Sequence, residues 1–247
     1  VKLLICIPTY NERDNAVAIA EAVLRQVGDR AEILFIDDGS PDGTGAILDQ
    51  LATRERRVHV LHRSGKLGLA SAYFAGFNWG FERGFDWVMQ MDADFSHDPS
   101  HLPAFLAAID SGRYDVVCGS RYVPGGGVSD WSPARVLLSR MGSVYSTLWL
   151  RHPVADWTGG FNAWSRSCLE ALCTDTIRTR GYAFQIELKY RALTLNKRLL
   201  QIPIIFRERR VGQSKMSGNI VTEALLAVAL LRWKQESGTL WAPSLGA

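Results

Sequence analysis

The sequence predicts an α/β protein built on a mostly parallel sheet with helices on both faces. Three observations predict it. Short apolar runs alternate with helical stretches through the first half of the chain. The runs are continuously apolar, as in strands buried on both faces, and do not alternate with polar residues. Each of four runs ends in a polar, turn-rich segment: Pro8-Thr9-Tyr10-Asn11-Glu12, Asp37-Asp38, Asp92-Ala93-Asp94 and Gly119-Ser120-Arg121. Open parallel sheets bind ligands outside the carboxyl ends of their strands, so these segments mark one candidate rim.

Taken in order, residues 2–7 read as a strand closed by Pro8, and residues 14–27 as a helix. Residues 32–37 form a second buried strand, followed by the turn-rich run Asp38-Gly39-Ser40-Pro41-Asp42-Gly43. A helix over 44–56, a short strand over 58–61 and a helix over 69–83 rich in Ala, Gly and aromatics come next. Residues 85–91 are a strand, and Asp98-Pro99 precedes a helix over 100–110. Residues 115–119 are the fifth strand. The second half differs. After Gly125-Gly126-Gly127, residues 134–150 place Leu137, Leu138, Met141, Val144, Tyr145, Leu148 and Trp149 on one helical stripe flanked by Arg135, Arg140 and Arg151. A second apolar helix spans 219–234, with eight consecutive apolar residues from Ala224 to Leu231. No repeat or linker divides the chain, so one domain over 1–236 and a flexible tail over 237–247 are expected.

Composition narrows the function classes. With 47% hydrophobic and 21% charged residues in 247, the chain is an ordinary globular protein, not a disordered one. A net charge of +3 is too small to argue for nucleic acid as a partner. Cys6, Cys118, Cys168 and Cys173 form no C-x-x-C pair or disulfide framework, so reduced thiols and a cytosolic setting are expected. No signal peptide is visible, and no stretch is long and apolar enough to span a bilayer.

The chemistry lies at the rim. Asp92-x-Asp94 at a strand end suits a hard divalent cation that keeps substrate phosphates in its shell; the plain alternative is a capped turn before Asp98-Pro99. Asp42-Gly43-Thr44 matches the end of a phosphatase nucleophile motif, but Ser40 stands where its Asp must be. Asp38 suits a nucleobase or ribose, and Tyr10 with Glu12 suits base stacking and ribose hydroxyls. Asp156 and Glu187 either contact a sugar hydroxyl or pair with an arginine, and Gln185 lies near them. His97, three residues after Asp94, is the one histidine placed near this chemistry. Arg207, Arg209, Arg210 and Lys215 crowd ahead of the second apolar helix. Basic segments beside apolar helices suit an anionic lipid head group; equally, both helices could finish the core.

In series these segments resemble the family 2 glycosyltransferases, and within them the dolichol-phosphate (polyprenol-phosphate) mannose synthases. Pro8-Thr9-Tyr10-Asn11-Glu12-Arg13 is similar to the opening motif, and Asp37 through Thr44 to the second. Leu67-Gly68-Leu69-Ala70-Ser71-Ala72-Tyr73, Asp92-Ala93-Asp94, Gly119-Ser120-Arg121-Tyr122, Gly126-Gly127-Val128 and Gly181-Tyr182 with Phe184-Gln185 follow in order. Phe206, Arg209, Gly212, Ser214 and Lys215 close the series with the spacing Phe-x-x-Arg-x-x-Gly-x-Ser-Lys.

The resemblance implies a GT-A (Rossmann-like) fold with C-terminal interfacial helices. It implies transfer of mannose from GDP-mannose to a polyprenyl or dolichyl phosphate with inversion, at the cytoplasmic face of a membrane. Pro8, Tyr10, Glu12, Ile36 and Asp38 would contact the nucleoside, and Asp92, Ala93 and Asp94 the diphosphate and a Mg²⁺ or Mn²⁺ ion. Ser96 stands where some members have a Gln metal ligand, and is the second metal position here. Arg121, Arg209 and Lys215 would hold phosphates; with Asp94, Arg209 and Lys215 would be catalytic. Arg121, Arg135 and Arg140 would meet the acceptor phosphate. Ala229 replaces the Gln of Gln-x-x-Arg-Trp ahead of Arg232-Trp233, which disfavours polymer synthesis. The alternatives are a glucosyl donor with the same acceptor and a non-catalytic nucleotide-sugar binding subunit. A transmembrane anchoring subunit is left open as a partner.

Overall fold

A computed structural model of the chain describes residues 1–172, 174–177, 179, 181, 183–207 and 218–241. Arg209, Arg210, Gly212, Ser214, Lys215, Tyr182 and Cys173, all singled out above, lie outside the described residues. The elements run β1 (Leu3–Thr9), α1 (Arg13–Val27), β2 (Ala31–Asp37), α2 (Thr44–Arg54), β3 (Val58–His62), α3 (Leu69–Glu82) and β4 (Trp87–Gln90). They continue through α4 (Leu102–Asp110), β5 (Val116–Ser120), β6 (Gly127–Val128), α5 (Pro133–Leu150), β7 (Asn162–Ser165) and α6 (Arg166–Ala171). The chain then forms α7 (Ala183–Thr194), β8 (Leu199–Pro203), β9 (Ile205–Phe206) and α8 (Gly218–Glu236).

Seven strands form one sheet in the order β3-β2-β1-β4-β7-β5-β8. Every pairing is parallel except those of β7, which runs antiparallel between β4 and β5. The expected first five strands are all present, with ends shifted by a residue or two. β7 was not expected, because Asn162-Ala163-Trp164-Ser165 is short and half polar. The amide nitrogen of its polar side chain is paired within the core, while Oδ1 is not: Asn162 Nδ2 donates to Gln90 Oε1 (3.2 Å), Gln185 Oε1 (3.0 Å) and the Gly159 carbonyl (2.9 Å). β6 and β9 pair separately as a two-stranded ribbon beside the rim.

Alternation along β1 divides the core. Leu3, Ile5 and Ile7 pack with α1, α2 and α4, while Leu4 and Cys6 pack with α3, α6 and α7. α3 sits close against the strands because of its glycines; a Cβ on Gly76 would lie 2.8 Å from Ile36 Cδ1. A third cluster joins α5, α7 and α8 through Leu150, Trp157, Tyr190, Val228 and Leu231. Of the expected tail, residues 237–241 are described, and Leu240 is buried in this cluster.

α5 is amphipathic in the reverse sense of a core helix. Ser143, Ser146 and Leu150 are its buried residues. Its apolar stripe faces outward, with Leu137 60%, Met141 60% and Leu148 72% exposed. α8 beside it buries Val228 and Leu231 but leaves Leu226 67% and Trp233 61% exposed. The core therefore does not absorb these faces. No described helix is long and apolar enough to cross a membrane.

Close approach also fixes the turn after β5. A Cβ on Gly126 would lie 2.5 Å from the Ser120 carbonyl oxygen and 3.0 Å from the Arg121 carbonyl carbon. Backbone cannot yield as a side chain does, so Gly126→Ala is expected to cost about 1–3 kcal/mol. Gly142→Ala in α5, where a Cβ meets nothing within 4 Å, is the control. It should be neutral or stabilising by up to about 1 kcal/mol. Urea unfolding of the two variants checks both.

Candidate active site

The chain order reverses at β1: β2 and β3 lie to one side of it, β4 to the other. Loops leaving such a switch point separate and open a crevice at the carboxyl ends. Register places Thr9 opposite Asp37, so the β1 and β2 loops leave side by side. They are tied into one unit. Asp37 is buried and accepts from Thr9 Oγ1 (3.2 Å), Ser40 Oγ (2.6 Å) and the Ser40 N–H (3.1 Å). Asp42 accepts from Thr44 Oγ1 (2.6 Å) and the Arg13 N–H (3.2 Å). The Glu12 N–H in turn donates to Thr44 Oγ1 (3.0 Å). Asp42-Gly43-Thr44 is therefore a latch between loops, and Asp37 is a structural carboxylate.

Asp38 is the acid that faces the crevice wall. Its carboxylate lies 3.0 Å from Arg63 Nη1 in the loop after β3. Burial raises its pKa, with Arg63 and Lys66 opposing and Asp37 adding to the rise. Tyr10 is exposed beside it, with Lys66 Nζ 4.4 Å from the ring centroid. An aromatic face, a carboxylate and two cations together suit a nucleoside and its first phosphate. Arg63 and Lys66 escaped the sequence reading. The rule that found the other rim loops would have found this one, since β3 ends on the same edge. Two expected nucleotide contacts differ: the side chains of Ile36 and Ala93 are buried in the core. Any contact they make runs through the main chain. Pro8 pairs with Ile36 within the sheet, and Glu12 accepts from Asn15 Nδ2 (2.8 Å).

The β4 loop carries the second pair of acids. Phe95 takes φ of +63°, a region costly for a bulky residue. This turn brings the Ser96 N–H to Asp94 Oδ1 at 3.0 Å. Asp94 and Ser96 are buried, and Ser96 Oγ has no hydrogen-bond partner. Tyr73 Oη lies 3.4 Å from Asp92 Oδ1. The Asp92 N–H donates to His97 Nδ1 (3.0 Å), and the His97 ring stacks on Phe161 at 4.7 Å. Burial lowers the His97 pKa, with Asp92 and Asp94 opposing, so the imidazole is neutral with its proton on Nε2.

Arg121 leaves β5 at the far side. It is buried and bidentate to Asp156, with Nε to Oδ2 at 2.7 Å and Nη2 to Oδ1 at 2.6 Å. Nη2 also donates to Thr158 Oγ1 (2.8 Å). The expected phosphate ligand is thus anchored from behind by a carboxylate 35 residues on. Of the two roles open for Asp156, the structure places it in the arginine pair. Glu187 does the same with Arg191 (2.6 Å). Lys189 Nζ, fully buried, donates to the Asp156 (2.9 Å), Trp157 (3.2 Å) and Gly159 (2.9 Å) carbonyls. Tyr122 and Trp131 lie against Arg121, and Arg140 and Arg135 lie against those rings.

Residues 4–173 match the Glycosyl transferase family 2. The chain belongs to that family. It is 45% identical over 229 residues to the polyprenol monophosphomannose synthase of Mycolicibacterium smegmatis, covering 92% of this chain and 86% of that protein. It is 43% identical over 233 residues to the undecaprenyl-phosphate mannosyltransferase of Micrococcus luteus, covering 94% of each. Among solved structures, glucosyl-3-phosphoglycerate synthase from Mycobacterium tuberculosis, crystallised with Mn²⁺, UDP and glucosyl-3-phosphoglycerate, superposes with a TM-score of 0.68 at 18% identity. That match covers 94% of this chain and 79% of the other. The same enzyme with Mg²⁺ and UDP gives 0.66 at 17%. The glycosyltransferase therefore has the GT-A fold.

In this glycosyltransferase no three His, Cys, Asp or Glu side chains cluster as a metal cage among the described residues. Mg²⁺-like ions need none, since one or two protein oxygens and substrate phosphates suffice. The Asp94 carboxylate and the unpartnered Ser96 hydroxyl fit that mode of binding.

The Asp156 pair makes the glycosyltransferase acid-sensitive. Burial alone would raise the Asp156 pKa, but Arg121, its hydrogen bonds and Lys189 outweigh burial and hold it at about 2. A pKa depressed on folding adds stability that is complete above the unfolded value, and it is lost as pH falls from about 4 to 2. Asp156→Asn is expected to cost roughly 3 kcal/mol at pH 7, because Arg121 stays buried without its counter-ion. Urea melts should show that deficit shrinking below pH 4.

Proposed function

We propose that this glycosyltransferase moves mannose from GDP-mannose to a polyprenyl monophosphate with inversion, giving polyprenyl-phosphate β-mannose. The observation that carries the reading is the 45% and 43% identity, along nearly the whole chain, to two proteins named for mannosyl transfer to polyprenyl phosphates. The geometry supports it. Asp38, Tyr10, Arg63 and Lys66 form the nucleoside end of the crevice, and Asp92 and Asp94 the diphosphate end. Arg121, Arg135 and Arg140 lie against the Tyr122 and Trp131 rings, and the last two are carried by α5.

The acceptor phosphate is already ionised at neutral pH, so its oxygen attacks the anomeric carbon without a general base. The chain's work is to hold donor and acceptor in line and to offset charge on the departing diphosphate. A Mg²⁺ or Mn²⁺ ion at Asp94 and Ser96 would supply part of that charge when bound. Arg209 and Lys215 are proposed to supply the rest. Asp92, whose main chain His97 holds, and Asp94 orient the diphosphate from the β4 loop.

A donor panel with labelled nucleotide sugars and a short polyprenyl phosphate tests the reaction. GDP-mannose is expected to label the lipid and UDP-glucose not. Chelation should abolish turnover, and Asp94→Asn should lower kcat by about 10²–10³ with the fold intact. Full activity in excess chelator would refute the metal role.

The outward faces of α5 and α8 are proposed to lie in the cytoplasmic interface of a membrane, where the lipid acceptor presents its phosphate. Exposed Leu137, Met141 and Leu148 beside Arg135 and Arg140 have the pattern of an interfacial helix. In vesicle flotation the protein should bind anionic liposomes more strongly than neutral ones. Leu138→Glu with Trp149→Glu should weaken that binding. If no vesicle composition retains the protein, a transmembrane partner must deliver the acceptor instead.

A further inference from the structure

Two hydrogen-bond donors beside Arg121 have no work inside the protein. Tyr122 Oη and Trp131 Nε1 are both closed off from solvent, and neither has a hydrogen-bond partner. Buried donors left unpaired are costly and rare, so two on rings beside one arginine point to an absent acceptor. Their rings flank one guanidinium. The Arg121 guanidinium lies 5.2 Å from the Tyr122 ring centroid and 5.4 Å from that of Trp131. Arg140 lies 5.5 Å from the same Tyr122 ring, and Arg135 4.0 Å from the same Trp131 ring. Three guanidiniums and two aromatic rings thus alternate in one strip.

The rings alone account for the stacking. A cation is attracted to the face of Phe as it is to Tyr or Trp, so the O–H and the indole N–H are not needed for it. Their orphaned state needs another explanation. The ligand class follows from the surroundings. Three cations attract an anion, and two neutral donors add directional hydrogen bonds. A phosphate monoester, with three terminal oxygens, has lone pairs for all of these groups. The strip reaches α5 at Arg135 and Arg140, and Arg140 borders the exposed stripe of Leu137, Met141 and Leu148, so a hydrocarbon chain on that phosphate has a surface to follow.

We infer that Tyr122 Oη and Trp131 Nε1 are uncovered when the acceptor binds and donate hydrogen bonds to its phosphate. This rests on the polyprenyl-phosphate reading above and deepens it. The arginines supply attraction, and these two donors fix the phosphate's position and distinguish it from other anions.

Steady-state kinetics of Tyr122→Phe and Trp131→Phe test the assignment. The substrates are GDP-mannose and a short-chain polyprenyl monophosphate in detergent, and inorganic phosphate is tried as an inhibitor. Each variant keeps an aromatic ring and loses one donor. The acceptor KM is expected to rise about tenfold in each, as for loss of a hydrogen bond to a charged group. The donor KM should stay within about twofold, and Tyr122→Phe should melt no lower than wild type, since a buried unpaired hydroxyl has been removed. Inorganic phosphate that competes with the acceptor, and does so more weakly in the variants, shows that the site holds the phosphate group itself. Absence of competition with a raised acceptor KM shows that the group must arrive on its lipid; both outcomes support the assignment. An unchanged acceptor KM, or a rise confined to the donor KM, overturns it. A wild type that never glycosylates polyprenyl phosphate overturns the reading beneath it, which the variants alone cannot do.

Discussion

The ammonium of Lys189 sits where no water reaches it and holds three backbone carbonyls of one loop. Burial lowers its pKa, and the Asp156 carboxylate is among the groups that oppose this. The loop it gathers carries that carboxylate, which holds Arg121. Two cations thus flank one anion behind the rim. The arrangement is stable only as a whole, because an isolated buried charge is far more costly than a satisfied set. It orients Arg121, and Arg121 is the group against which Tyr122, Trp131 and Phe206 pack. A polar network inside the protein therefore shapes the outer strip of aromatic and basic residues.

The other side of the crevice is built by the sheet. Because β2 and β4 flank β1, three loops converge at their carboxyl ends, and the latch of Asp37, Ser40, Asp42 and Thr44 makes two of them rigid. The two ends of the crevice thus rest on different kinds of support. The end at β1 and β2 depends on parallel register and turn hydrogen bonds. The end at Arg121 depends on the charge network under β5 and on β7, whose Asn162 ties Gln90, Gln185 and Gly159 together. β7 also carries the chain across between β4 and β5, so the two ends share a wall. His97 stacked on Phe161 lies on that wall.

Much of this was legible along the chain. Buried parallel strands write themselves as continuous apolar runs, and the polar segments that end them mark the rim, so Pro8 through Glu12, Asp38, Asp92 and Asp94 could be found by position alone. β7 could not, because Asn162 is stable in the core only beside Gln90 and Gln185, partners distant in sequence. Arg63 lay in a loop after a short strand, and nothing local marked it as the partner of Asp38.

The helical stripe of α5 shows the division most sharply. Periodicity alone established that Leu137, Met141, Val144 and Leu148 share a face, because side-chain spacing on a helix is a local property. Which way that face points was decided only when Ser143, Ser146 and Leu150 took the inner side against the rest of the fold. Arg121 and Asp156 follow the same rule. The sequence by itself determined that a cation leaves the fifth strand and that an acid opens a glycine turn. Their union at 2.6 Å belongs to the tertiary structure, since charges find partners across whatever distance the packed chain has closed.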